Sequence, residues 1–229
     1  MEYNNERYDS YGRAYDEMSA EAYNLVIGGM LLYGFLVNCL MIKFCFDSVA
    51  DLIMNNPMMY YLSYFAMIFA GWFMIKKSSS TVMSFIGYNL IVVPLGMVIS
   101  FVVNVYVMAG YSDIIATAFG ITAVVTLLVM FVSSIYPDFF LSMGHTLGIT
   151  LLITIVVEAV MYFGFHMDLG IIDYIVVLLF CGYIGYDWAR ANSLPKTVYN
   201  AVDSAAELYV DIVNLFIRLM RILARSQKR

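Results

Sequence analysis

Apolar residues follow one another in long runs that short polar segments separate. The runs cover residues 23–42, 58–75, 82–109, 114–132, 139–165 and 171–186. A bilayer core about 30 Å thick requires about 20 helical residues at 1.5 Å per residue. The pattern therefore predicts six membrane-spanning helices.

The segment 196–224 has a different pattern, because polar side chains recur along it at helical spacing. These residues are Asp203, Glu207, Asp211, Asn214, Arg218, Arg221 and Arg225. Intervals of three or four residues place them on one face of a helix, which cannot face lipid without a large penalty. Either the other six helices surround this helix, or its charged ends lie in the interface. Residues 208–224 extend for about 26 Å as a helix, which favours a full crossing, and a re-entrant helix stays open.

The composition supports a membrane protein. Hydrophobic residues make up 62% of the 229-residue chain and charged residues 13%, whereas soluble domains are about 45–50% apolar and about 25% charged. No basic cluster typical of nucleic-acid binding is present. The sequence predicts an all-α polytopic membrane protein with an acidic tail (1–22), a seven-helix domain (23–224) and a basic tail (225–229).

Lysine and arginine residues predict the orientation, because they are enriched in cytoplasmic loops. The loops on the side of the N-terminus contain six, namely Arg7, Arg13, Lys76, Lys77, Arg190 and Lys196, and the opposite loops contain only Lys43. The N-terminus is therefore predicted to be cytoplasmic. The acidic first 22 residues do not fit a secretory signal, so the first run is expected to be a retained span.

Two acids on neighbouring predicted helices suggest a site. Asp187 ends the sixth run and Asp211 lies within the last helix, and acids at membrane depth are rare and usually functional. If they meet, repulsion and desolvation make them share a proton near neutral pH, and without it they repel each other or bind a cation such as Ca²⁺. With straight antiparallel helices they would be offset by about 15 Å, so pairing is expected to require residues 196–203 to lie along the membrane surface.

Other charged residues have two possible roles each. Lys76, Lys77 and Arg190 are candidates for a latch that reaches an acid, although the two lysines also fit a topology anchor. Glu158 either lines an ion path or is a protonated packing group. Asp203 and Glu207 either continue that path or form a solvated helix start, where the helix dipole favours acids.

Several motifs resemble the Bax inhibitor motif family over residues 23–224. They are TAFGITAVV, SMGHTLG, GYIGYD ending at Asp187, and ELYVDIVNLFIRLMRIL around Asp211. The resemblance implies a seven-helix fold with the last helix central, in which Asp187 and Asp211 form a pH-responsive pair and the protein leaks calcium. It also implies a basic latch at the end of the second span, where this chain has Lys76 and Lys77 instead of an arginine.

The predicted function is a pH-sensitive calcium leak channel that is not an enzyme and has no tightly bound cofactor. Ca²⁺ is the expected permeant ion, transiently bound by Asp187 and Asp211, and H⁺ the expected regulator. One alternative is a non-transporting regulator that binds another membrane protein, such as a membrane protease or a death-pathway protein. Another is an intramembrane aspartyl protease, although Asp211 lacks the Gly-x-Gly-Asp setting. The expected location is a bacterial cell membrane.

Overall fold

Apolar segments in lipid must satisfy their own backbone hydrogen bonds, which favours helices. A computed structural model of the chain describes residues 7–8, 14–15, 17–77, 80–166 and 170–227, and its long elements are helical. The helices are α1 (Ala20–Phe44), α2 (Phe46–Asn55), α3 (Pro57–Lys77), α4 (Thr81–Met108), α5 (Ser112–Ile135), α6 (Pro137–Ser142), α7 (Gly144–Ala159), α8 (Gly170–Ser193) and α9 (Val198–Gln227). A π-helical turn, Val160–Gly164, continues α7, and a two-residue antiparallel ladder of β1 (Arg7–Tyr8) and β2 (Ala14–Tyr15) precedes α1.

Six helices are long and apolar enough to cross a membrane: α1, α3, α4, α5, α7 with its π-helical turn, and α8. They correspond in order to the six apolar runs, which confirms the prediction of a helical multi-pass membrane protein. The last helix, α9, has 30 residues and is about 45 Å long, and its charged face distinguishes it from these six.

Two short helices were not predicted from the sequence. A single residue, Cys45, separates α2 from α1, and the ten residues of α2 include Asp47 and Asp51. The fifth crossing begins later than predicted, because Pro137 starts the separate helix α6 and α7 begins at Gly144. Proline is favoured at the first position of a helix. At Gly144 a Cβ atom would lie 2.5 Å from the ring of Tyr186, so the start of α7 approaches α8 closely.

The last helix, α9, packs against α1, α4, α5 and α8. Its side chains Leu208, Tyr209 and Leu215 are fully buried. The peripheral helices instead expose large apolar side chains such as Phe69 of α3 and Leu178 of α8. These side chains are positioned to contact lipid, whose hydrocarbon core matches them in polarity.

One backbone contact and one side-chain contact define two ends of the bundle. At the N-terminal end, Met18 N donates to Lys196 O at 2.9 Å, which brings the start of α1 beside the start of α9. At the opposite end, Arg225 near the end of α9 binds Asp173 near the start of α8. Because α8 ends at Ser193 just before α9 begins, the two helices run antiparallel along their length.

Candidate functional site

Asp187 of α8 and Asp211 of α9 face each other inside the bundle. Their side chains are 7% and 6% exposed, and the two carboxyl groups are close enough to interact directly. A hydrogen bond between them requires a proton on one of them, because two carboxylates offer only acceptors. Asp211 Oδ2 is buried and has no hydrogen-bond partner among the described residues. The structure thus brings these two predicted site residues together.

The way in which the pair forms corrects the sequence prediction. Residues 196–203 were expected to lie along the membrane surface, but α9 is one continuous helix from Val198. Asp187 lies six residues before the end of α8 and Asp211 lies 13 residues after the start of α9, a difference of about 10 Å. The non-helical link 194–197, at about 3.5 Å per residue, is long enough to place the start of α9 that far beyond the end of α8.

Glu207, one helical turn before Asp211, connects three helices. Its Oε1 atom accepts a hydrogen bond from Lys76 Nζ at 2.5 Å and another from Arg190 Nη1 at 2.7 Å. The side chain of Glu207 is only 10% exposed, whereas those of Lys76 and Arg190 are 48% and 35% exposed. The carboxylate therefore ties the end of α3 and the end of α8 to α9.

The three basic residues considered for a latch have different surroundings. Lys76 and Arg190 bind Glu207, and their charges also interact with Asp187. The ammonium group of Lys77 lies 4.9 Å from the centre of the Phe73 ring and its side chain is exposed. Glu207, which the sequence placed on a possible ion path, is thus the residue that binds two of the latch candidates.

Asp203 continues the line of acids one turn further towards the N-terminal end. It lies beside Ser84 of α4, whose side chain is fully buried. Asp203 Oδ1 and Ser84 Oγ are both buried, and neither makes a well-formed hydrogen bond within the part of the chain that the structure describes. Acids at positions 203, 207 and 211 therefore lead from the N-terminal end of α9 to the buried pair.

The start of α1 covers this end of the line. The hydroxyl of Tyr23, a fully buried residue, lies 3.2 Å from Ser204 Oγ. Lys196 Nζ lies 4.6 Å from the centre of the Tyr23 ring and donates to Asn192 O at 2.6 Å, near the C-terminal end of α8, where a cation is favoured. Burial lowers the pKa of the Lys196 ammonium, and the charge of Glu17 acts in the opposite direction.

A second cluster of charges lies at the opposite end of the bundle. Arg218 binds both carboxylate oxygens of Glu158 at 2.8 Å and donates to Asp173 Oδ1 at 2.8 Å. Arg221 lies 3.3 Å from Glu158 Oε1 and 3.4 Å from Asp173 Oδ1, and Arg225 binds Asp173 Oδ2. The cluster joins α7, α8 and α9.

This cluster gives Glu158 and Asp173 partners that the sequence did not identify. Glu158 was expected to line an ion path or to be a protonated packing group, and it is bound here by two guanidinium groups. Asp173 lies within the sixth apolar run and was not among the predicted site residues, yet its side chain is only 1% exposed. The sequence contained one indication of these partners, namely the arginines at 218, 221 and 225. Acids at membrane depth need partners, and these arginines share the polar face of the last helix.

A pocket of about 340 Å³ opens beside this cluster, between the ends of α4 and α9 and the start of α5. Its lining includes Tyr106, Tyr111, Arg221 and Arg225. Within the described ranges, no three His, Cys, Asp or Glu side chains converge as a metal-binding group.

The described residues form six helices long enough to cross a membrane and a charged last helix, α9. Between α9 and its neighbour α8 lies a pair of buried carboxyl groups. These features define a class of polytopic membrane proteins with a buried acid pair. The chain matches the family described as Inhibitor of apoptosis-promoting Bax1 over residues 16–228, and it belongs to that family. This match confirms the resemblance inferred from the motifs around Asp187 and Asp211. No curated protein and no solved structure matches the chain.

Proposed function

We propose that this protein is a pH-sensitive calcium leak channel in which Asp187 and Asp211 form the sensor. The observation that carries the proposal is the close approach of their two buried carboxyl groups. Ca²⁺ prefers carboxylate and other hard oxygen ligands. Two carboxylates without their shared proton would form a doubly negative site inside the bundle. A weak site of this kind suits permeation, since an ion must enter readily and also leave.

The direction of the pH response follows from the number of protons on the pair. A hydrogen bond between the two carboxyl groups exists only while a proton is bound, so it is expected at low pH and is lost as the pH rises through the titration of the pair. The two carboxylates then repel each other, which separates α8 from α9 and favours entry of a cation. Calcium flux is therefore expected to increase with pH over that range.

We further infer that α9 is a seventh crossing and the central helix of a seven-helix bundle. Its contacts with α1, α4, α5 and α8 support a central position, and its antiparallel run along α8 supports a full crossing. The distribution of lysine and arginine between the two sides supports a cytoplasmic N-terminus. A bacterial cell membrane is the proposed location.

Lys76 and Arg190 are the proposed latch, with Glu207 as the group that they bind. The two ion pairs connect α3 and α8 to α9 one turn from Asp211. This connection opposes separation of α8 and α9 while the pair is protonated. Exposed ion pairs each contribute only about 0–1 kcal/mol, so the latch adds to the shared proton and does not replace it. The proposal includes no catalytic role for the pair and no tightly bound cofactor.

Calcium flux into proteoliposomes tests this function. The protein is reconstituted around a calcium-sensitive dye, and flux is measured as a function of pH for the natural sequence, Asp187→Asn and Asp211→Asn. Each substitution removes one titrating carboxyl group, so the dependence on pH is expected to be lost or displaced. Asp47→Asn on α2, where the side chain is exposed, is the matched control and is expected to retain it.

Flux whose pH dependence is the same in all four proteins would refute the sensor. Absence of flux from correctly folded protein would refute the channel itself. That second outcome would favour the alternative of a non-transporting regulator that binds another membrane protein.

A further inference from the structure

We propose that Glu207, Asp203 and Ser84 form a second divalent-cation site, and that the ammonium group of Lys76 occupies its place in this structure. This inference rests on the proposed calcium conduction, because the site would be a place where a permeating ion stops between the N-terminal end of α9 and the Asp187–Asp211 pair. Binding to this site can nevertheless be measured without any conduction.

The ammonium group of Lys76 lies where a bound cation would lie. Its Nζ atom lies 2.5 Å from Glu207 Oε1, and its charge also interacts with Asp203 one turn away. An ammonium group is a compact point charge that binds carboxylate oxygens by attraction, without a fixed planar geometry. Its position therefore marks where the negative potential of the two acids is concentrated. The side chain is 48% exposed, so an ion can reach this place when the lysine leaves.

Ser84 is the independent observation that points to a ligand. The residue is fully buried, and its Oγ atom makes no well-formed hydrogen bond with the described part of the chain. The Oδ1 atom of Asp203, which lies beside Ser84, makes no well-formed hydrogen bond with the described part of the chain either. Both oxygens therefore have unused lone pairs. Together with the Glu207 carboxylate, which already binds a cation, they provide the hard oxygen ligands that Ca²⁺ prefers.

The balance of charge explains why the ammonium group excludes a metal ion. The charged groups that interact with Asp203 are Glu207, Lys76 and Arg190, and the same three groups also interact with Asp187. Without the charge of Lys76 this set of groups is more negative by one unit, so the affinity for a divalent ion is expected to increase.

Terbium luminescence can measure binding at this site directly. Tb³⁺ prefers the same oxygen ligands as Ca²⁺, and it emits strongly when an excited tryptophan lies nearby. The ring of Trp72 has its centre 5.4 Å from Lys76 Nζ, so an ion that replaces the ammonium group would be sensitised. The full-length protein in detergent is titrated with Tb³⁺, and bound Tb³⁺ is then displaced with Ca²⁺.

Lys76→Met is expected to bind Tb³⁺ about tenfold more tightly than the natural sequence, because it removes the competing charge. Lys77→Met removes the same charge one residue away, where the side chain lies over Phe73, and is expected to match the natural sequence. Adding Asp203→Asn to Lys76→Met is expected to abolish the gain. Lys76→Gln provides the same test if the methionine variant does not fold.

Equal Tb³⁺ affinity in the Lys76 and Lys77 variants would overturn the inference, and so would a gain that persists with Asp203→Asn. The channel proposal fails separately. Tight binding of Tb³⁺ that depends on Asp203, together with no calcium flux in proteoliposomes, would support the site and refute conduction. Flux that depends on pH together with no Tb³⁺ site would refute only this inference.

Discussion

The side chain of Asp173 is almost inaccessible to solvent, and three guanidinium groups contact its carboxylate. Replacing it with asparagine would leave Arg218 and its neighbours with less compensating charge in a partly buried place. Removing one partner of a buried ion pair typically costs about 3–5 kcal/mol. Because the arginines are 18–33% exposed, we expect Asp173→Asn to lower the free energy of unfolding by about 2–3 kcal/mol.

Reversible unfolding of the purified protein in mixed micelles measures this effect. The control is Asp138→Asn, an exposed aspartate in α6, for which the expected change is within about 0.5 kcal/mol. Equal effects of the two substitutions would show that the cluster contributes little to stability.

Single residues were predictable when their chemistry conflicts with their surroundings. Asp187 and Asp211 could be identified because an acid within an apolar helix requires a partner or a proton. The role of Glu207 could not be identified in the same way, because its partners Lys76 and Arg190 come from two other helices. Which cation reaches which acid depends on how the helices pack, and the order of residues along the chain does not determine it.

At the scale of elements, α3 and α4 approach each other closely through two glycines. A Cβ atom on Gly71 would lie 2.7 Å from Gly87 O, and one on Gly87 would lie 2.8 Å from Gly71 O. Small residues allow such close packing of membrane helices. Gly87→Ala would therefore force α3 away from α4, with an expected loss of about 1–3 kcal/mol of stability.

Thermal unfolding in detergent tests this packing. Gly120→Ala in α5 is the matched control, because a Cβ atom there meets no atom within 4 Å. We expect the control to be neutral or slightly stabilising, since alanine favours helices over glycine by about 1 kcal/mol. Similar melting temperatures for Gly87→Ala and the natural sequence would show that the two helices can separate at little cost.

The crossing helices were predictable because each combines sufficient length with an apolar sequence. α2 was missed because its ten residues are too few for a crossing and two of them are acidic. The error about the start of α9 has a similar origin. A compact turn after Leu194 would start the next helix level with the end of α8. The link as far as Thr197 instead places the start of α9 beyond the end of α8. Only a three-dimensional arrangement reveals that displacement.

For the whole molecule, the path of α9 determines where the C-terminus lies. α9 runs antiparallel to α8 and ends beside the start of α8, so Met18 and Arg225 lie at opposite ends of the bundle. We expect a reporter fused after the C-terminus to be accessible outside the cell membrane and one fused before the N-terminus to be accessible only from the cytoplasm. Both reporters on the same side would contradict a full crossing by α9.

The charged face of α9 was visible in the sequence, but its two halves turned out to have different partners. Towards the N-terminal end of α9, Glu207 binds Lys76 and Arg190, and Asp211 meets Asp187. The arginines at 218, 221 and 225 bind acids of α7 and α8 at the opposite end. Helical spacing determines that these residues share a face, and it does not indicate that the face is divided between two clusters.

Because both clusters are attached to one uninterrupted helix, α9 couples the two ends of the bundle mechanically. Glu207 and Arg218 are separated by 11 residues, which is about 16 Å along the axis. A rigid helix that ion pairs hold at two such points cannot slide or rotate by a few ångströms at one point without straining the contacts at the other. Loosening of the contacts at Glu207 would therefore be transmitted to Glu158 and Asp173 on the far side, so that the two charged clusters are expected to loosen together.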